Sequence, residues 1–115
     1  MNRICRLAVG LALAVPAMAQ EARLTLIRDD ATRDRVRLFI EAARKRGTPT
    51  EPLIARALEG VAFKADAKRI EKAMAALESR MLRAQKMLGR SATVDEISAA
   101  ADALANEVQI GRAHV

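Results

Sequence analysis

The chain has 115 residues, 20 of them Lys or Arg and 14 Asp or Glu, giving a formal net charge of +6. One cysteine builds no internal disulfide, and 51% hydrophobic residues exclude a disordered polyelectrolyte. Twenty-five alanines against two Phe, no Tyr and no Trp argue against a β-sheet protein and for helices in one small domain.

The N-terminal stretch MNRICRLAVGLALAVPAMAQ reads as a secretory signal peptide over residues 1–19. Arg3 and Arg6 supply the positive start, Leu7 to Val15 the apolar run, and Ala17 and Ala19 the small residues a signal peptidase reads. The alternative is a buried or membrane-spanning helix. Nine apolar residues make about 13 Å of helix, against a hydrocarbon core of about 30 Å. Cleavage after Ala19 removes Cys5, Arg3 and Arg6 and leaves 18 basic and 14 acidic residues, a charge of +4. Gln20 then leads a cysteine-free chain suited to a periplasmic or secreted location, with no transmembrane span.

Residues 20–109 read as an all-α domain of about four short amphipathic helices, a small bundle or the start of a helical-hairpin repeat. Glu21 to Asp30 is a mixed approach segment whose Asp29-Asp30 pair suits a helix start. The first helix is predicted from about Thr32 to Arg46, with Val36, Phe39, Ile40 and Ala43 on its apolar stripe and Gly47 as its stop. Thr50 is the predicted N-cap of the next helix, with Glu51 and Pro52 in its first turn. That helix is expected to bury Leu53, Ile54, Ala57, Leu58 and Val61 and to end at Gly60.

The longest helix is predicted from about Asp66 to Leu88. Ile70, Ala73, Met74, Leu77, Met81, Ala84 and Leu88 form its stripe, and Gly89 closes it. Thr93-Val94-Asp95-Glu96 is a capping box, followed by Val94, Ile97, Ala101, Leu104 and Val108 at helical spacing. Gly47, Thr50 and Ile54 correspond to Gly89, Thr93 and Ile97 at an offset of 42 or 43, a faint internal repeat that an ordinary bundle using the same caps twice also explains. The last six residues, IGRAHV (110–115), resemble the translated read-through of a sequencing adapter. They are expected to be a non-native tail on a chain that naturally continues beyond about Val108, with a genuine frayed terminus as the alternative.

EPLIARALEG, the long basic helix and TVDEISAAADAL together resemble uncharacterised secreted Ala/Arg-rich helical proteins of environmental bacteria, over roughly residues 45 to 108. The resemblance is one of style. It implies a helical exported protein and carries over no activity and no site residue.

Chemistry is sparse. Without the leader and the tail the segment has no Cys, His, Tyr or Trp, and so lacks the commonest nucleophile, general base and metal ligand. Ser79 does not stand at a three- or four-residue step from Lys72 or Lys86, which discounts a Ser-Lys pair. Asp29-Asp30 and Asp95-Glu96 read as helix starts and lack calcium-loop spacing. Met74 and Met81 read as core packing ahead of a copper site, and Met87 sits beside the stripe. No catalytic, cofactor-binding or metal-ligating residue is predicted, and an enzyme is not expected.

Charge carries more. Residues 63 to 90 hold eight Lys and Arg against three acids, while residues 91 to 109 hold four acids and no base. Antiparallel packing with complementary charged rims is one account. The other is a face of Lys68, Arg69, Lys72, Arg80, Arg83 and Lys86 for an anionic partner: an anionic envelope component or another, acidic, helical protein. The expected function is therefore an exported, non-enzymatic helical interaction protein. A periplasmic helical chaperone or stress sensor is the alternative. A helix-turn-helix DNA-binding protein with a misread leader comes third. It is disfavoured because the chain lacks a turn glycine near Asp102-Ala103-Leu104 and has no stacking aromatics beyond Phe39 and Phe63, both read at apolar helical positions.

Overall fold

The computed structural model describes residues 17–113, with side chains described over 18–106. The apolar part of the leader and the last two residues of the expected tail lie outside the described residues, as does the side chain of Val108. Five helices follow in chain order: α1 Ala17–Leu24, α2 Asp30–Lys45, α3 Glu51–Ala62, α4 Ala67–Leu88 and α5 Val94–Ala113. No strand occurs among the described residues. The helices form a small bundle. α4 packs against α2, α3 and α5, and α1 is held against α2 and α3.

The additional helix, α1, starts at Ala17, within the expected leader, and takes in the first four residues of the Glu21–Asp30 segment that the sequence leaves unassigned. Its apolar periodicity is poor, and tertiary contact holds it. Leu24, its last residue, and Ile27, just beyond it, enter the core. Gln20 is 6% exposed. Its amide donates to Thr50 Oγ1 (2.9 Å) and Glu51 Oε1 (3.1 Å), and its Oε1 accepts from Arg44 Nη2 (2.6 Å). Arg23 pairs with Glu51, and Arg37 Nε donates to Glu21 Oε1 (2.7 Å). That hydrogen bond raises the Arg37 pKa above its ordinary value.

α2 starts at the Asp pair. Asp29 is the N-cap, and its carboxylate accepts from Thr32 N (2.9 Å) and Thr32 Oγ1 (2.6 Å). Val36, Ile40 and Ala43 are buried and Phe39 is half-buried, as the stripe requires. Gly47 follows with φ +79, a conformation that favours a residue without Cβ.

Two expectations about α3 are corrected. Thr50 occupies the N-cap position but makes no side-chain cap: its backbone is αR (φ −91, ψ −23), not extended as a capping residue requires, and its hydroxyl accepts from Gln20. Gly60 does not end the helix, which runs on to Ala62. A Cβ at Gly60 would lie 2.8 Å from Ile70 Cγ1, so the glycine permits close approach of α4. The chain turns instead at Lys64, φ +59. Phe63, read as an apolar helical position, stands at the C-cap and is largely exposed. Leu53, Ile54 and Ala57 are fully buried, whereas Leu58 and Val61 are partly buried.

α4 is capped by Asp66, which accepts from Arg69 N (2.8 Å), and is stopped at Gly89, φ +89. Ile70, Met74, Leu77, Met81 and Ala84 form its core face, while Leu88 is exposed. The capping box of α5 is formed: Glu96 N donates to Thr93 Oγ1 (3.2 Å) and Thr93 N to Glu96 Oε1 (3.3 Å). Ile97 and Ala101 are buried against α4 and Leu104 partly so, but Val94 is exposed. The two copies of the faint repeat thus diverge, since Thr93 caps its helix and Thr50 does not.

Candidate functional site

The site builds outward from the core face of α4. At 3.6 residues per turn, burying Ile70, Met74, Leu77, Met81 and Ala84 places Lys68, Lys72, Arg83 and Lys86 together on the opposite side, within about 60° of one another. All four are exposed, as is Arg69 on the flank of that face. Arg80, grouped with them from sequence, does not join them. It is half-buried and lines a cleft of about 430 Å³ between α3 and α5, with Arg56, Glu59, Asp95, Ser98 and Asp102 among the lining residues. Its Nε is buried without a hydrogen-bond partner.

The acids of α4 fall on the other flank, toward α2. Glu71 pairs with Arg35 (3.5 Å). Glu78 is 8% exposed and accepts from Arg46 Nη2 (2.7 Å) and Nε (3.1 Å). Arg46 also lies over the Phe39 ring, 5.9 Å from its centroid. Sequence reading missed the burial of Glu78. The available signal was its position one residue after Leu77, on the edge of the apolar stripe, where only a partnered carboxylate survives.

Among the described residues, complementary rims between α4 and α5 form no ion pairs. None of Lys68, Arg69, Lys72, Arg80, Arg83 and Lys86 makes an ion pair among the described residues. Of the α5 acids whose side chains are described, Glu96 closes its capping box, and Asp95 and Asp102 line the cleft. Among the described residues no ion pair joins α4 to α5: the core stripe rotates Lys68, Lys72, Arg83 and Lys86 to the far side, while Arg80 shares the cleft with Asp95 and Asp102.

The result is a helix whose two carboxylates are paired with Arg35 of α2 and Arg46 at the α2 C-cap, while its exposed cations keep no carboxylate among the described residues. Such an array attracts anions and offers donors to phosphate or carboxylate oxygens. Ser79 and Ser91 are exposed, Ser98 half-buried, and Met87 exposed while Met74 and Met81 are buried. Among the described residues no group of three or more His, Cys, Asp or Glu is placed to hold a metal ion, and no helix is long and apolar enough to cross a membrane. No family model matches the chain, and no curated protein or solved structure compared with it is similar.

Proposed function

We propose that this is an exported, non-enzymatic helical interaction protein, and that α4 presents its basic face to an anionic component of the cell envelope. The observation that carries the reading is the charge asymmetry of α4. Glu71 and Glu78 are consumed by Arg35 and Arg46, and Lys68, Lys72, Arg83 and Lys86 stand exposed without partners among the described residues. A cation near an anionic surface contributes about 1 kcal/mol. Four on one face are enough for salt-sensitive adsorption, screened over a Debye length of about 10 Å at 0.1 M salt. Export is read from the leader and from the absence of cysteine beyond Cys5.

Combined reversal at Lys68, Lys72, Arg83 and Lys86 to glutamate tests the face. Binding to soluble polyphosphate and to vesicles containing phosphatidylglycerol, measured at low salt, is expected to be lost. Arg80→Gln is expected to leave it nearly unchanged, because that side chain faces the cleft. Undiminished binding by the reversed protein refutes the reading. Export is checked separately by N-terminal sequencing of the native protein, which is expected to begin at Gln20; an intact Met1 inside the cell refutes it.

A further inference from the structure

We propose that the tip of the α4–α5 hairpin is a shallow wedge that enters an anionic lipid bilayer, with Met87 and Leu88 among the acyl chains and Arg83, Lys86 and Arg90 on lipid phosphates. The inference rests on the basic-face reading and names the partner of that face. Of the eight large hydrophobic side chains that are exposed among the described residues, Met87 and Leu88 are consecutive at the C-terminal end of α4, and Leu82 lies six residues before Leu88, beside the hollow that Gly89 and Arg90 also line. Met87 is 72% exposed, an unusual cost for a side chain with a core stripe beside it.

The turn is built for a blunt end. Gly89 at φ +89 and ψ −179 adopts a backbone conformation almost confined to glycine, and it lets α5 begin after five intervening residues. Leu82, Gln85, Lys86, Gly89 and Arg90 line an open hollow of about 350 Å³ beside it.

Charge chooses the occupant. Three cations ring the tip. Of the two nearest carboxylates, Glu96 is engaged by Thr93 N and Oγ1 in its capping box, and Asp95 lines the cleft shared with Arg80. A second copy of the chain would set these cations against their own kind. A soluble polyanion would satisfy them but leave the apolar side chains in water. An anionic bilayer satisfies both, since apolar groups enter about 5–10 Å while cations remain at the headgroups.

The chain has no tryptophan, so Met87→Trp in the full-length protein is a single reporter of the tip, and Phe63→Trp reports the opposite end of α4. With vesicles of phosphatidylglycerol and phosphatidylcholine, the indole at 87 is expected to shift to shorter emission wavelength and the one at 63 to stay unshifted. Vesicles of phosphatidylcholine alone, or polyphosphate, are expected to leave both unshifted. Met87→Ser, alone and with Leu88→Ser, is expected to weaken binding to the anionic vesicles, the pair by about tenfold. Vesicle binding without a shift at position 87 overturns the wedge and leaves the basic face standing. An equal shift on phosphatidylcholine overturns the choice of anionic lipid, and a concentration-dependent shift without vesicles assigns the tip to self-association and overturns the proposal. Failure to bind either vesicles or polyphosphate defeats the basic-face reading beneath it.

Discussion

Gly60→Ala probes the contact that sets the rotation of α4, and with it the direction of the basic face. The added methyl falls 2.8 Å from Ile70 Cγ1, well inside the optimal carbon–carbon separation of about 3.5–4.0 Å. Cγ1 is one bond from the Cβ of a β-branched side chain that has a single preferred χ1 in a helix. Ile70 is also buried, so it yields only by moving backbone or neighbours. Overpacking of this kind costs about 1–3 kcal/mol. Against it stands a gain of about 1 kcal/mol for alanine over glycine in a helix interior. Gly60→Ala is therefore expected to be neutral to destabilising by about 2 kcal/mol. In the background of Ile70→Ala the obstructing atoms are gone, and the same substitution is expected to stabilise by about 1 kcal/mol. The change of sign between backgrounds is the signature of contact. Urea unfolding of the four proteins, followed by far-ultraviolet circular dichroism, measures it as shifts in midpoint at constant m. Equal stabilisation by Gly60→Ala in both backgrounds would refute the close approach of α3 to α4.

Glu78→Ala removes the carboxylate that holds Arg46, whose half-exposed side chain then returns to water, and is expected to lower stability by about 1 kcal/mol. Glu78→Gln, which keeps one acceptor, should cost less, and thermal unfolding that ranks the two alike would contradict the assigned pair. The Thr32 hydroxyl and amide hold the Asp29 carboxyl below the usual carboxylate range, with Arg33 helping. The folded-state pKa therefore lies below the unfolded one. The linked stability is present above the unfolded pKa and is lost as pH falls through the folded value. Asp29→Asn keeps a cap acceptor and is expected to flatten the acid limb of the stability–pH curve; an unchanged limb in that variant argues against the cap.

Much of the architecture is legible from local rules. Spacing at three and four residues locates α2, α4 and α5, since burying one stripe is the main source of helix stability in a short chain. The Thr93–Glu96 box and the stops at Gly47 and Gly89 are read from side-chain and backbone chemistry confined to a few residues. The same chemistry misleads where a distant residue competes. Thr50 has the right identity and position for a cap, yet Gln20, thirty residues away, takes its hydroxyl. Gly60 looks like a stop and is instead a gap that admits Ile70.

The candidate site divides in the same way. The excess of cations on α4 is a property of composition and is visible at once. Whether those cations are spent is not. The rims expected to join α4 to α5 give way to pairs between Glu71 and Arg35 and between Glu78 and Arg46, and Arg80 leaves the face for the cleft. Helix type, caps and net charge follow from interactions within a few residues, which the order of amino acids states directly. The partner of each charge depends on how far each helix is rotated about its axis, and that angle is fixed only when Ile70, Met74 and Met81 pack among the other helices.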